Sequence, residues 1–190
     1  MERLILMNLY LRLKKNAYRW VAKDRKTKLR IISFSSEKRD YESGCKRIFK
    51  TLKNKYHEQF LKAKKKGSKF VLTSDKYAGY KKGHNKFLYR LAKLNHGVPI
   101  KCKKYKLKKN NNCIERDHQY SRALEKISRG HKNIETSSAL FDIGDIYYNY
   151  IDKQKLSGEK MYRTPTERAK IKINLGRDYM LLNLIKQAYP

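Results

Sequence analysis

Acidic residues are scarce in this chain. Only 17 Asp and Glu stand against 48 Lys and Arg in 190 residues, a formal net charge of +31. Such an excess repels itself on compaction, and its natural neutraliser is a polyanion, nucleic acid well ahead of an anionic membrane surface. Cysteine is limited to Cys45, Cys102 and Cys113, an odd number that builds no disulfide framework and suits a reducing, cytoplasmic setting. Long apolar runs are missing too. Leu4 to Leu11 is too short to span a bilayer, and Arg12, Lys14 and Lys15 follow it where a signal peptide would need small residues, so neither a membrane partner nor a cleaved leader is expected. The chain has no Gly-rich phosphate loop, no Ser-His-Asp order and no nucleophilic Cys motif, which leaves P-loop nucleotide hydrolysis and covalent catalysis without support. No internal repeat is visible, and the low-complexity stretches are all lysine-rich.

Aromatic residues, in contrast, are plentiful. Fifteen Tyr, six Phe and Trp20 exclude a disordered basic tail, and the length fits one domain with a short appendage. Residues 4–13, Tyr18 to Ala22 and Leu29 to Phe34 predict three strands of an antiparallel meander, separated by the polar turns Lys14 to Ala17 and Asp24 to Lys28. Asp40 can cap a helix carrying Cys45, Ile48, Phe49 and Leu52, which runs on or breaks near Asn54 and stops at Gly67-Ser68. Phe70 to Thr73 has the form of a buried central strand with Asp75 at its tip. Tyr77, Tyr80, Phe87, Leu88, Leu91 and Leu94 suggest a helix, and Val98 to Cys102 a further strand. Two helices follow, one from near Cys113 to Arg129, the other with Leu140, Ile143, Tyr147 and Tyr150 as its apolar stripe and Ile134, Phe141 and Tyr148 beside it. Thr164-Pro165-Thr166-Glu167 carries three helix-start signals, and Met180 to Ile185 predicts a last short helix. A mixed sheet flanked by helices results.

Three acids sit at a strand end or a helix start: Asp24, Asp75 and Glu115. Carboxylates converging from separate elements can hold two Mg²⁺ ions, which clamp the attacking and leaving oxygens of a phosphoryl displacement. Helical spacing sets Glu115, His118, Gln119 and Arg122 on one face, where a carboxylate, an imidazole and a guanidinium could meet one phosphate backbone. Lys62 to Lys66 and Lys101 to Lys109 are candidate phosphate contacts. Cys102, Cys113 and His118 form a poor zinc set without a Cys-x-x-Cys knuckle. The tyrosines of 147–150 could stack on bases, although at helical spacing the core is their more frequent place.

In shared order, several of these motifs resemble the catalytic domain of DDE-type transposases from prokaryotic insertion sequences, relatives of retroviral integrases. Tyr18-Arg19-Trp20-Val21-Ala22-Lys23-Asp24 with Thr27 is similar to the aromatic second strand of that family and its Asp-x-x-Thr turn. Arg39-Asp40, Thr73-Ser74-Asp75-Lys76 with Tyr80, and Asn111-Asn112-Cys113-Ile114-Glu115-Arg116 with His118 resemble the elements leading to the first helix and to the second and third acids. Arg129-Gly130-His131-Lys132, Tyr148-Asn149-Tyr150-Ile151 and Thr164-Pro165-Thr166-Glu167 resemble the family's later elements. The resemblance implies an α/β, RNase H-like domain over residues 1–151 with a helical tail over 152–190. It also implies Asp75, Glu115 and Asp24 as catalytic metal ligands, Mg²⁺ or Mn²⁺ as cofactor, transposon-end and target DNA as partners, and possible homo-oligomers. In those relatives the first catalytic aspartate lies in the first strand, a place that falls here at Met7-Asn8, and a helix-turn-helix region precedes the domain. The chain therefore reads as N-terminally truncated, and three accounts stay open: Asp24 replaces the missing ligand, the domain is a decayed remnant, or it only binds DNA. A basic structural RNA-binding protein is a further alternative.

Overall fold

The computed structural model describes residues 3–11, 17–97, 112–127, 133–176 and 178–188, with backbone alone for 3–11, 112–117 and 127. Its centre is one five-stranded sheet of order β3-β2-β1-β4-β5. Strands β1 (Arg3–Leu11), β2 (Ala17–Asp24) and β3 (Arg30–Ser36) form the antiparallel meander, while β4 (Phe70–Ser74) and β5 (Ala92–Asn95) add in parallel beside β1. Strand β1, the middle strand, pairs with β2 from Leu4↔Asp24 to Leu11↔Ala17 and with β4 from Arg3↔Val71 to Leu6↔Ser74. The fifth strand lies at Ala92–Asn95, so Leu94 belongs to a strand and Leu91 to the turn before it, neither to the end of a helix. Val98 to Cys102, the strand expected there, lies outside the described residues, as do the Lys14 turn and Arg129 to Lys132.

Two helical layers cover the sheet. Alternation along β2 sends Trp20 and Ala22 to one face and Arg19 and Lys23 to the other. On the first face a hydrophobic core joins Trp20, Ala22, Ile32, Phe34, Phe70 and Leu72 to helix α1 (Lys46–Lys65) and helix α2 (Ala78–Phe87). Helix α1 presents Ile48, Phe49, Leu52 and Phe60 inward. A single π-helical turn, Tyr41–Cys45, precedes it, and Asp40 caps that turn by accepting from Ser43 N at 2.7 Å. The Ser43 hydrogen bonds hold the Asp40 carboxyl below its ordinary range. Tyr56 (φ −121°, ψ 17°) kinks α1 two residues beyond Asn54, and Gly67 at φ +68° closes it with Ser68 N donating to Ala63 O. Helices α1 and α2 meet closely because Gly83 has no side chain: a Cβ there would fall 2.3 Å from the Phe49 ring.

The opposite face carries helix α3 (Asn112–Ile127) and helix α4 (Ile134–Tyr150). Asn133 caps α4 through Thr136 N at 2.8 Å. The inward residues of α4 are Ser137, Phe141, Gly144, Asp145, Tyr148 and Asn149, whereas Ile143 and Tyr147 of the expected apolar stripe are exposed. Beyond α4 the chain forms the short helix α5 (Pro165–Arg168), opened by Thr164 and Glu167 in a reciprocal capping box, and helix α6 (Met180–Ala188).

Candidate active site and its supporting layer

The tip of β4 is built from short polar contacts. Ser74 is fully buried, and its Oγ meets His96 Nδ1 at 3.1 Å just past the end of β5. The next residue, Asp75, has its backbone carbonyl held by Gly97 N at 3.2 Å and its Oδ1 by Tyr77 N at 2.9 Å. Oδ2 faces Arg39 at 3.9 Å, and Arg39 lies over the Tyr77 ring at 4.7 Å while its carbonyl accepts from Tyr77 Oη at 2.7 Å. The Asp75 side chain is 32% exposed. Below it, Cys45 is fully buried, and its thiol is pushed up to about 12, first by desolvation and then by the Asp75 charge. Asp75 is thus a fixed, accessible carboxylate at the carboxyl end of parallel strands, in a cationic surround. One more step of the β1–β4 register brings Met7 level with it.

The other two candidate ligands are placed differently. Asp24 pairs with Leu4 of β1, which in turn pairs with Leu72, three residues short of Asp75 and two strands away. That is roughly 10 Å along the strands and roughly 10 Å across them. Its Oδ2 accepts from Thr27 N and Thr27 Oγ1, each at 2.6 Å, so the carboxylate closes the β2–β3 turn. Asp24 and Asp75 are not brought together. Glu115 stands in the first turn of α3, which lies against β1 and α4. Its side chain is outside the description, as are those of Met7, Asn8 and Cys113, and the run Lys101 to Lys109 with Cys102 lies outside the described residues.

The expected α3 face does not present one surface. His118 is buried while Gln119 and Arg122 are exposed. The reason is that α3 turns His118 and Ser121 toward the protein, so the imidazole is not offered to a phosphate.

The supporting layer joins Arg19, Lys23, Tyr148 and Asn149 of the motifs above to residues that sequence patterns did not single out, Asp145, Ser33 and Tyr120 among them. Asp145 of α4 accepts from Arg19 Nη2 of β2 at 2.5 Å, from Arg30 Nη1 of β3 at 2.6 Å, and from Ser33 Oγ. Arg30 lies between the Tyr148 and Tyr120 rings, 4.0 and 4.8 Å from their centroids, and Lys23 lies 4.6 Å from the Tyr148 ring. Arg19 covers Phe141 at 4.5 Å. A β-bulge at Ala22/Lys23 pairs Lys23 with Arg30, which lets both cations reach the α4 side. Asn149 seals the bulge, its Oδ1 accepting from Arg30 N and its Nδ2 donating to Arg30 O, both at 3.0 Å. Because Tyr120 belongs to α3, the Arg30 sandwich ties the helix that bears Glu115 to the sheet. Gly144 lets α3 approach α4, since a Cβ there would meet Leu124 at 2.5 Å. The usable signal in the sequence was the alternation of Arg19 and Lys23 with Trp20 and Ala22 in one strand, which forces cations inward.

Among solved structures the chain is similar to a chain in the intasome of simian T-cell lymphotropic virus in complex with PP2A regulatory subunit B56 gamma. The TM-score is 0.59 at 8% identity, over 92% of this chain and 56% of that one. The fold is integrase-like. The chain spans little more than half the length of that relative. It also matches the HTLV-2 integrase catalytic core domain in complex with magnesium (trimeric form), with a TM-score of 0.46, 11% identity and coverage of 87% and 93%. No family model and no curated protein matches the sequence. The α/β, RNase H-like mixed sheet flanked by helices expected from the sequence is the fold of this chain. Among the described residues, no three His, Cys, Asp or Glu gather where they could hold a metal ion, and no helix is long and apolar enough to cross a membrane. Of the three candidate ligands, Asp75 is the one whose described side chain stands accessible at the strand tip with the hard oxygen that Mg²⁺ prefers, one ligand where a two-ion clamp needs several.

Proposed function

We propose that this integrase-like domain is a DNA-recombination domain of the DDE transposase class whose metal site retains Asp75 and Glu115 and lacks the third carboxylate. The observation that carries the reading is the β1–β4 register: the place level with Asp75 is Met7, followed by Asn8, with no acid. Asp75 and Glu115 would hold Mg²⁺ or Mn²⁺, which when bound supplies electrophilic stabilisation of a phosphate. Arg39, 3.9 Å from Asp75, would orient a phosphate oxygen beside that carboxylate, and the net charge of +31 would hold the DNA. Asp24, committed to the Thr27 turn, does not restore the missing ligand. The domain therefore binds transposon-end or target DNA firmly and performs strand cleavage and transfer weakly at most. An insertion-sequence origin in prokaryotes and assembly into homo-oligomers fit the motif resemblance and belong to this reading.

Nicking of supercoiled plasmid in Mn²⁺ tests it. The unaltered protein should nick no faster than Asp75→Asn, while Met7→Asp should gain metal-dependent nicking that Asp75→Asn or Glu115→Gln removes. Strong nicking by the unaltered protein that Asp24→Ala abolishes would overturn the proposal and make Asp24 the third ligand.

A further inference from the structure

The face built by α1 and α2 is distinct from the α3–α4 layer, and its cations far outnumber its acids. Between Lys46 and Lys66 the chain has nine Lys and Arg against one acid, Glu58. From Lys76 to Ile114 it has no acid at all. The apolar side of α1 is spent on the core through Ile48, Phe49, Leu52 and Phe60, leaving Lys50, Lys53 and Lys64 exposed at helical spacing. Helix α2, docked on α1 through Gly83, exposes Lys81, Lys82 and Lys86. A helix face that only needed solubility would alternate signs, since Glu–Lys pairs at i,i+4 stabilise helices and like charges at that spacing destabilise them. At the start of α1, Lys46 reaches Glu42 at 2.5 Å.

The placement of the ridge matters as much as its charge. Helix α1 starts at Lys46, next to Cys45 beneath the Asp75 tip, and its twenty residues run roughly 30 Å along an axis bent at Tyr56. That is about nine base pairs of duplex, at roughly 3.4 Å each.

We propose that α1 and α2 form a track for the phosphate backbone of double-stranded DNA, running from Asp75 to Lys64. This goes beyond the proposed chemistry and rests on it only for the choice of DNA. The track binds phosphates without reading bases. Its occupancy does not depend on the metal ligands.

The test is fluorescence polarisation with a labelled 30-base-pair duplex over a salt series. Lys50→Gln/Lys53→Gln/Lys64→Gln is compared with Lys153→Gln/Lys155→Gln/Lys160→Gln, three exposed lysines of the tail loop that carry the same charge change. Each lost phosphate contact lowers the slope of log K against log salt by about 0.9. The α1 variant should lose about two to three from that slope and on the order of tenfold in affinity, while the tail variant keeps both. Equal losses in the two variants would reduce the effect to bulk charge and overturn the track. So would an unchanged slope in the α1 variant, or tighter binding of single-stranded RNA than of duplex. At fixed ionic strength the unaltered protein should bind the duplex equally with EDTA and with Mn²⁺ in the same assay, so failure of the track and failure of the metal-site reading are told apart.

Discussion

Asp145 shows what single residues decide in this fold. It serves two guanidinium groups at once, and removing one member of a buried ionic cluster costs about 3–5 kcal/mol because the charges left behind stay desolvated. Asp145→Ala should therefore lower unfolding free energy by about 3 kcal/mol or more in urea denaturation, and a loss under 1 kcal/mol would show the cluster to be peripheral. Cys45 makes a second prediction at this scale. Its thiol is held neutral up to about 12, so with Cys102 and Cys113 replaced by Ser it should resist alkylation at pH 8 in the folded protein and react on unfolding. The sign for stability follows from the raised pKa. The unfolded thiol ionises from about pH 8.5 while the folded one stays protonated, so the contribution of Cys45 is complete below that pH and declines in the alkaline range above it. Rapid alkylation of the folded protein would contradict the burial.

Elements differ in how clearly the sequence announces them. The meander, the Asp40 cap, the stop at Gly67 and the capping box at Thr164 are written in local chemistry, and all are present. Strand β5 was hidden because Leu91 and Leu94, three residues apart, mimic a helix face, while Leu91 lies in a turn and Leu94 pairs with Leu72 of β4. The orientation of α4 was hidden for another reason. Its inner face carries Asp145 and Asn149 to meet Arg19 and Arg30, so the more apolar stripe of Ile143 and Tyr147 points to solvent. Apolar periodicity reads a helix correctly and its facing wrongly when the interior is ionic. Asp75 was legible as a carboxylate at a strand tip, whereas the distance between Asp75 and Asp24 depended on a register that no local motif encodes. The contact between α1 and α2 predicts a size limit at Gly83. Gly83→Ala would press a methyl group into the Phe49 ring, and overpacking of this kind costs about 1–3 kcal/mol, readable as a lowered Tm. An unchanged Tm would mean that the helices can separate there freely.

At the scale of the whole molecule, the sheet sets two surfaces of different purpose. One layer is an ionic and aromatic clamp that fixes α3 against the sheet; the other is a hydrophobic core with a cationic exterior. The candidate metal site sits at the carboxyl edge where β1 and β4 run parallel, and what it can do depends on which residue of β1 stands beside Asp75. Manganese binding followed by calorimetry on four proteins tests this most directly: unaltered, Met7→Asp, Met7→Asp with Asp75→Asn, and Asp24→Ala. The register predicts weak binding in the unaltered protein, unchanged in Asp24→Ala, at least tenfold tighter in Met7→Asp, and lost from that variant when Asp75 is replaced. No gain in Met7→Asp, a gain that survives Asp75→Asn, or loss of binding in Asp24→Ala would contradict it.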